Sequence, residues 1–324
     1  MASIFALLKK FKNGLDMGSI QSVDEMSVIP LVGDDRGDIV ADPQELKFQR
    51  TTNYGSMQFD NTERSRPAIV PSNYMVRGTG AQDHAMSSAG IVAGGKTKTF
   101  DTACCIESSQ GGYLGGANNE YDVLPIGLRK NLLPASMRNR RSYDKLWPSI
   151  EEWLKGIGIN SYNAHLRYFY DDKNIRQALE DFAAEFEPIP NQIGAIILFN
   201  EMPVGFEVMP TTIHWNAYWK YLIRGCYGAE LIRMKKLGIV KPSRLVLPDI
   251  PAKSTPEELA ELFSSYQQSL TAGVIPLLEK INVKDYKAVS STSGLEMNFV
   301  TTTSGGGGDV IAQGQEPVYA SIVF

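Results

Sequence analysis

The sequence predicts an α+β protein: antiparallel sheet at its core, a mainly helical middle section, and strands returning at the carboxy terminus. Three observations carry this. The run Gly194-Ala-Ile-Ile-Leu-Phe-Asn200 is continuously apolar, as a buried strand requires, and after the Glu201-Met-Pro203 turn Val204–Met209 follows as its hairpin partner. Trp215, Trp219, Leu222 and Ile223 then recur at helical spacing. The last forty residues return to strand-like patterning at 286–290, 295–302, 309–312 and 318–324.

From the start, Ile4-Phe-Ala-Leu-Leu8 with Phe11 predicts an amphipathic arm over residues 1–17 that docks on the body or on a neighbour. A single discontinuous unit over 18–324 follows: β-rich at 18–135, helical around the hairpin at 146–285, β-rich again at 286–324. Met26–Val32 reads as a strand, whereas residues 38–65 are polar and read as irregular. Strands resume at 68–70, 74–76, 88–92 and 97–106, with Ala93-Gly-Gly-Lys96 as a hairpin turn, because glycine reaches positive φ at little cost. Gly111-Gly112 and Gly115-Gly116 mark a long loop, and 118–131 shows no clear periodicity. Pro148–Leu154 opens a helix with Glu151 and Glu152 in its first turn, where the dipole favours them. Ile175, Leu179, Phe182 and Phe186 line one face of a helix over 171–186, and Thr255-Pro-Glu-Glu-Leu is a capped start for a helix over 255–281.

Charged residues make up 21% and apolar ones 43%, an ordinary globular balance, and the net charge of −4 supplies no field for phosphate backbones. Nucleic acid is therefore not an expected partner; only Arg138, Arg140 and Arg141, with Arg129 and Lys130, offer a basic patch, and a solvated loop explains them as well. No apolar run approaches the ~18 residues of a membrane span. The charges Lys9, Lys10 and Lys12 follow the short apolar stretch instead of preceding it, unlike a signal peptide. Three cysteines, two of them adjacent, suit a reducing compartment, so a cytoplasmic or intracellularly assembled protein is expected.

His84, His165 and His214 are far apart and lack metal-ligand spacing, so no metal and no cofactor are expected. If adjacent strands converge, Gln82, Asp83 and His84 would meet Cys105 and Glu107, placing a thiol, an imidazole and carboxylates in one cleft. Such a set supports nucleophilic catalysis, because imidazole lowers a thiol pKa and a carboxylate orients the ring. The bland alternative is a small buried cysteine and a strand-end charge. Gly305–Gly308 lacks the lysine, hydroxyl and helix of a phosphate loop and reads as a hairpin loop. On the aromatic helix, Trp215, Trp219, Leu222 and Cys226 fill the core face, leaving Tyr218 and Tyr221 outward as contact anchors.

Several segments, in order, resemble one bacterial family, the ARG and rhodanese-phosphatase superfamily associated protein domain. They are Ile29-Pro30-Leu31; the run from Gly80 to Ile106, with Gln82, Gly94-Gly95, Cys105 and then Glu107; Gln192 with Gly194-Ala195; Val204-Gly205; Trp219 to Arg224; and Tyr319 to Phe324. Ala81 and His84 stand where the family pattern has basic residues, and Ser108–Gly112 replaces its glycine–aromatic segment. The resemblance implies fold more than activity, along with an accessory role in bacterial conflict systems.

The leading functional expectation is a non-enzymatic interaction or assembly protein, a virus-particle component included. It would contact copies of itself or another protein through Ile4, Phe5, Leu8, Phe11, Tyr218 and Tyr221. The competing one is an enzyme or small-ligand sensor with a cleft near Gln82, His84, Cys105 and Glu107.

Overall fold

The computed structural model describes residues 2–108, 111–160, 163–240 and 255–324. Its centre is a ten-stranded antiparallel sheet. In order across it run Ala2–Ser3, Asn282–Thr292, Leu295–Thr302, Gly307–Gln313, Glu316–Val323, Met202–Val208, Gln192–Phe199, Met26–Val32 and Asp16–Met17, with Gln21–Val23 also on Met26–Val32. The carboxy-terminal strand pairs with the hairpin, Gly205 opposite Val323 and Val208 opposite Ala320, so both ends of the chain build one sheet. Every residue of Gln192–Phe199 is buried, which its unbroken apolar run requires of a strand covered on both faces.

One face is covered by the amino-terminal arm and the helix Pro256–Lys280, which begins with the capping box Thr255/Glu258. The arm helix Ile4–Leu8 is capped by Ser3, and Ile4, Leu8 and Phe11 are buried against this sheet face, Phe11 lying edge-on to Phe206 with ring centroids 6.4 Å apart. Phe5 packs beside them, half-buried. These four side chains, expected at an interface, are thus spent on the chain's own core.

The other face carries the aromatic helix. It runs as an α-helix over Thr212–Lys220, a π-helix over Tyr221–Gly228 and an α-helix again over Ala229–Lys236. Trp215, Trp219, Leu222 and Cys226 face the core as expected. Tyr218 does not face outward: Tyr74, on the strand Tyr74–Gly78, packs against it and against Tyr221, leaving Tyr218 5% exposed and Tyr221 half-buried.

Smaller sheets cap this side. Residues 38–65, expected to be irregular, contain the strands Leu46–Arg50 and Met57–Asn61, whose Phe48, Met57 and Phe59 alternate inward. Thr97–Phe100 is the third strand of that sheet, while Gly90–Val92 pairs with Ala68–Val70, so Ala93–Lys96 is a corner between two sheets, not a hairpin. The reason is local: Asn61 Nδ2 donates to the carbonyls of Val92 and Ala93, and Gly95 N to Glu63 O, so the turn's backbone groups are taken by the 61–63 segment. A four-stranded sheet, Cys104–Cys105, His84–Ala85, Tyr74–Gly78 and Asn119–Val123, completes the cap. Gly307 and Gly308, expected in a loop, lie in a strand, where a Cβ at position 308 would fall 1.9 Å from Ser321 O.

Candidate functional site

The four-stranded sheet brings the expected polar residues together. Cys105 lies opposite His84 in the ladder, and its Sγ is 3.1 Å from His84 Nε2. Gly55 N donates to the same Nε2 at 3.2 Å, which makes that nitrogen an acceptor. The ring proton therefore sits on Nδ1 and is donated to Gln82 O at 2.8 Å, and the thiol donates to Nε2. Burial pushes the Cys105 thiol up to about 12 and His84 down to about 4, so both are neutral at rest. Glu107 accepts from His165 Nδ1 at 3.1 Å instead of orienting His84, and Asp83, raised by burial to about 6, is paired with Arg167. His84 and Cys105 have no exposed surface, and Gln82 and Glu107 very little. The set is thus assembled, with its thiol and imidazole buried.

A cleft of about 810 Å³ opens between the Leu46–Arg50/Met57–Asn61 hairpin and the aromatic helix. Phe48 and Phe59 form one wall, Ile213, Ala217 and Tyr218 the other. Its end is a tyrosine cluster: Tyr74 and Tyr121, on neighbouring strands, stack with centroids 5.4 Å apart and planes 6° from parallel, and Tyr218 and Tyr221 meet Tyr74 at 6.1 and 6.5 Å. Ring pairs at such separations are favourable beyond their area burial, so the cluster is a fixed wall. Among the described residues Lys47 is the one charged side chain lining this cleft. Burial holds Tyr74, Tyr121, Tyr218 and Tyr221 above the usual phenol range, so all four remain neutral hydrogen-bonding groups. Tyr218 OH donates to Ser72 O at 3.3 Å, whereas the hydroxyls of Tyr74 and Tyr221 make no hydrogen bond among the described residues. His214, also in the lining, is held neutral by burial at about 4.

A polar groove of about 270 Å³ adjoins the cleft and shares Tyr121 and Tyr221 with it. Asp122, fully buried, bridges Arg77 and Arg224 at 2.9 Å each. The π-helix makes this approach possible, because Gly225 leaves room for the Asp122 carboxylate. π-Segments often sit at functional sites.

The basic patch read from the sequence is reduced to exposed Lys130 and Arg140, with its other members engaged elsewhere. Arg129 is buried on Glu207 at 2.7 Å, Arg138 is buried over the Phe299 ring, and exposed Arg141 is paired with Asp101 at 2.8 Å. Among the described residues no helix is long and apolar enough to cross a membrane, and no cluster of three or more potential ligands could hold a metal ion.

Sequence reasoning found Tyr218 and Tyr221 but missed Tyr74 and Tyr121. Alternation in Glu120-Tyr-Asp-Val123 marks a strand there, but nothing local pairs it with the strand that carries Tyr74.

An antiparallel sheet with a helical middle, carrying a tyrosine-walled cleft, defines an α+β domain. The chain belongs to the family described as the ARG and Rhodanese-Phosphatase-superfamily-associated Protein domain, whose model matches residues 14–263. No curated protein and no solved structure matched it.

Proposed function

We propose that this protein binds a small ligand bearing a planar or apolar ring, held in the cleft between Phe48 and Tyr218. The observation that carries this reading is the preformed tyrosine wall beside an open volume, where Tyr74 and Tyr121 stack within 6° of parallel and the hydroxyls of Tyr74 and Tyr221 have no hydrogen bond among the described residues. A concave, mostly apolar site with few polar groups is the usual form of a small-molecule site. It is the ligand-binding expectation, moved from the His84–Cys105 pair, whose side chains are buried, to the cleft walled by the tyrosines.

The test uses anilinonaphthalene sulfonate as a fluorescent ring probe. Ala217 is exposed on the helix wall, so Ala217→Trp fills the cleft without disturbing the core. Saturable binding by the native chain, lost in Ala217→Trp, is expected. Equal binding by both proteins would sink the reading.

A second reading, self-association, is favoured by the edge strand Asn282–Thr292. Ala2–Ser3 covers only Asn282 and Val283, and Tyr286 and Val289 are 50% and 43% exposed. Two bulges and Lys284 and Lys287 on that strand are devices that discourage edge pairing, so it stands second. Native mass by light scattering decides it: a concentration-dependent dimer broken by Tyr286→Lys supports pairing, and a monomer at high concentration ends it.

A further inference from the structure

Resting on the ring-binding reading, we infer that the polar groove beside the cleft takes a neutral polyhydroxylated group, so that the ligand is a ring joined to a sugar-like moiety. The two spaces are continuous through shared walls, Tyr121 and Tyr221, so one molecule can occupy both. The groove is lined by three arginines, Arg77, Arg176 and Arg224, and three carboxylates, Glu120, Asp122 and Glu180. Their charges cancel, which argues against an anion or a cation as the occupant.

The pairing sharpens this. Arg77 reaches Asp122 and Glu120 at 2.9 Å each, and Arg224 reaches Asp122 at 2.9 Å and Glu180 at 2.5 Å. A charged ligand group must break such pairs to bind. A hydroxyl need not: it donates to a carboxylate lone pair and accepts from a spare guanidinium N–H while the ion pairs stay closed. Half-exposed Arg176 spends Nε on Tyr170 O and Nη2 on Asp171, and its Nη1 makes no hydrogen bond among the described residues, so one donor is spare. Tyr121 and Tyr221 then offer ring faces to the C–H side of a sugar at the junction.

The experiment measures displacement of anilinonaphthalene sulfonate from the full chain by 4-nitrophenol, by 4-nitrophenyl phosphate and by a panel of 4-nitrophenyl glycosides (glucose, galactose and xylose). At least one glycoside is expected to compete about tenfold better than 4-nitrophenol, and the phosphate no better than 4-nitrophenol. Glu120 and Arg176, both well exposed, can be changed without unfolding the chain. Glu120→Ala and Arg176→Ala should erase the glycoside advantage and leave 4-nitrophenol unchanged. A phosphate that outcompetes every glycoside overturns the inference in favour of an anion site. Equal competition by all the probes removes the groove from recognition while the ring cleft stands. If the dye itself ignores Ala217→Trp, the ring reading falls and takes this one with it.

Discussion

Asp122 occupies the space that a side chain at position 225 would fill: a Cβ on Gly225 would lie 2.4 Å from Asp122 Oδ1. The strand Asn119–Val123 and the π-helix Tyr221–Gly228 are thereby held close, with Arg224 and Arg77 on the two carboxylate oxygens and Tyr170 OH donating to Gly225 O at 2.8 Å. Gly225→Ala should therefore destabilise the protein by about 2–3 kcal/mol, as forced displacement of a buried network does. Gly273, in the Pro256–Lys280 helix with open space around it, is the control. Gly273→Ala should stabilise by about 0.4–1 kcal/mol in the same urea titration.

The buried pair Arg129–Glu207 gives a second prediction. Arg129 is also bound to Ser321 Oγ at 2.7 Å and Asn73 Oδ1 at 3.2 Å, and Tyr227 OH donates to Glu207 at 2.7 Å. Glu207→Gln strands a buried cation and should cost about 3–5 kcal/mol. Arg129→Met combined with Glu207→Leu removes both charges and should lose less than the single change. A double variant weaker than the single one, in denaturant unfolding, would mean that the pair is not what holds this centre.

The buried histidines make stability depend on pH. His84 and His214 are held at about 4 against 6.5 for the free group, so between these values the unfolded chain takes up protons that the folded chain refuses. Each histidine removes up to about 1.4 kcal/mol per pH unit across that window. Asp83 acts oppositely: raised from 3.8 to about 6, it favours the folded state increasingly as pH falls through that range. Glu107, Asp122 and Asp309 are raised by burial as well and act with Asp83, whereas lowered His165 acts with the other two histidines, so the histidine contribution, a decline from about pH 6.5 downward, is read as a difference between variants. His214→Gln keeps a hydrogen-bonding side chain at that position and should flatten the decline, which an unchanged slope would refute.

The neutral, covered state of the His84–Cys105 pair predicts an unreactive thiol. Cys104, Cys105 and Cys226 are all buried and raised to about 11 or 12. A disulfide reagent should label none of them in the native protein and all of them in urea. Fast native labelling of Cys105 would show an ionised, accessible dyad and reopen the catalytic reading.

Much of this fold was legible because its central elements are locally unambiguous. Gly194–Phe199 has no polar residue to suggest another state, and Thr255 with Glu258 caps a helix by itself. The arm and the tyrosines were misread for one reason: amphipathicity shows that an apolar face is covered, never by what. Ile4, Leu8 and Phe11 found their partner in Val274 and Leu278, more than 250 residues away in sequence. The strands Leu46–Arg50 and Met57–Asn61 were hidden because their outward residues are charged or amide-bearing, although Phe48, Met57 and Phe59 keep the period of two. The cleft depends on pairing between distant strands, Tyr74 opposite Val123 and Val76 opposite Tyr121, which no local pattern encodes.

The most direct test of the cleft is a titration followed by NMR of the tyrosine rings, with Tyr74, Tyr121, Tyr218 and Tyr221 assigned through single phenylalanine variants. Added 4-nitrophenol should shift these four resonances together and leave exposed Tyr54, Tyr113 and Tyr143 in place. Shifts confined to the exposed tyrosines, or none at all, would contradict the cleft as the site of function.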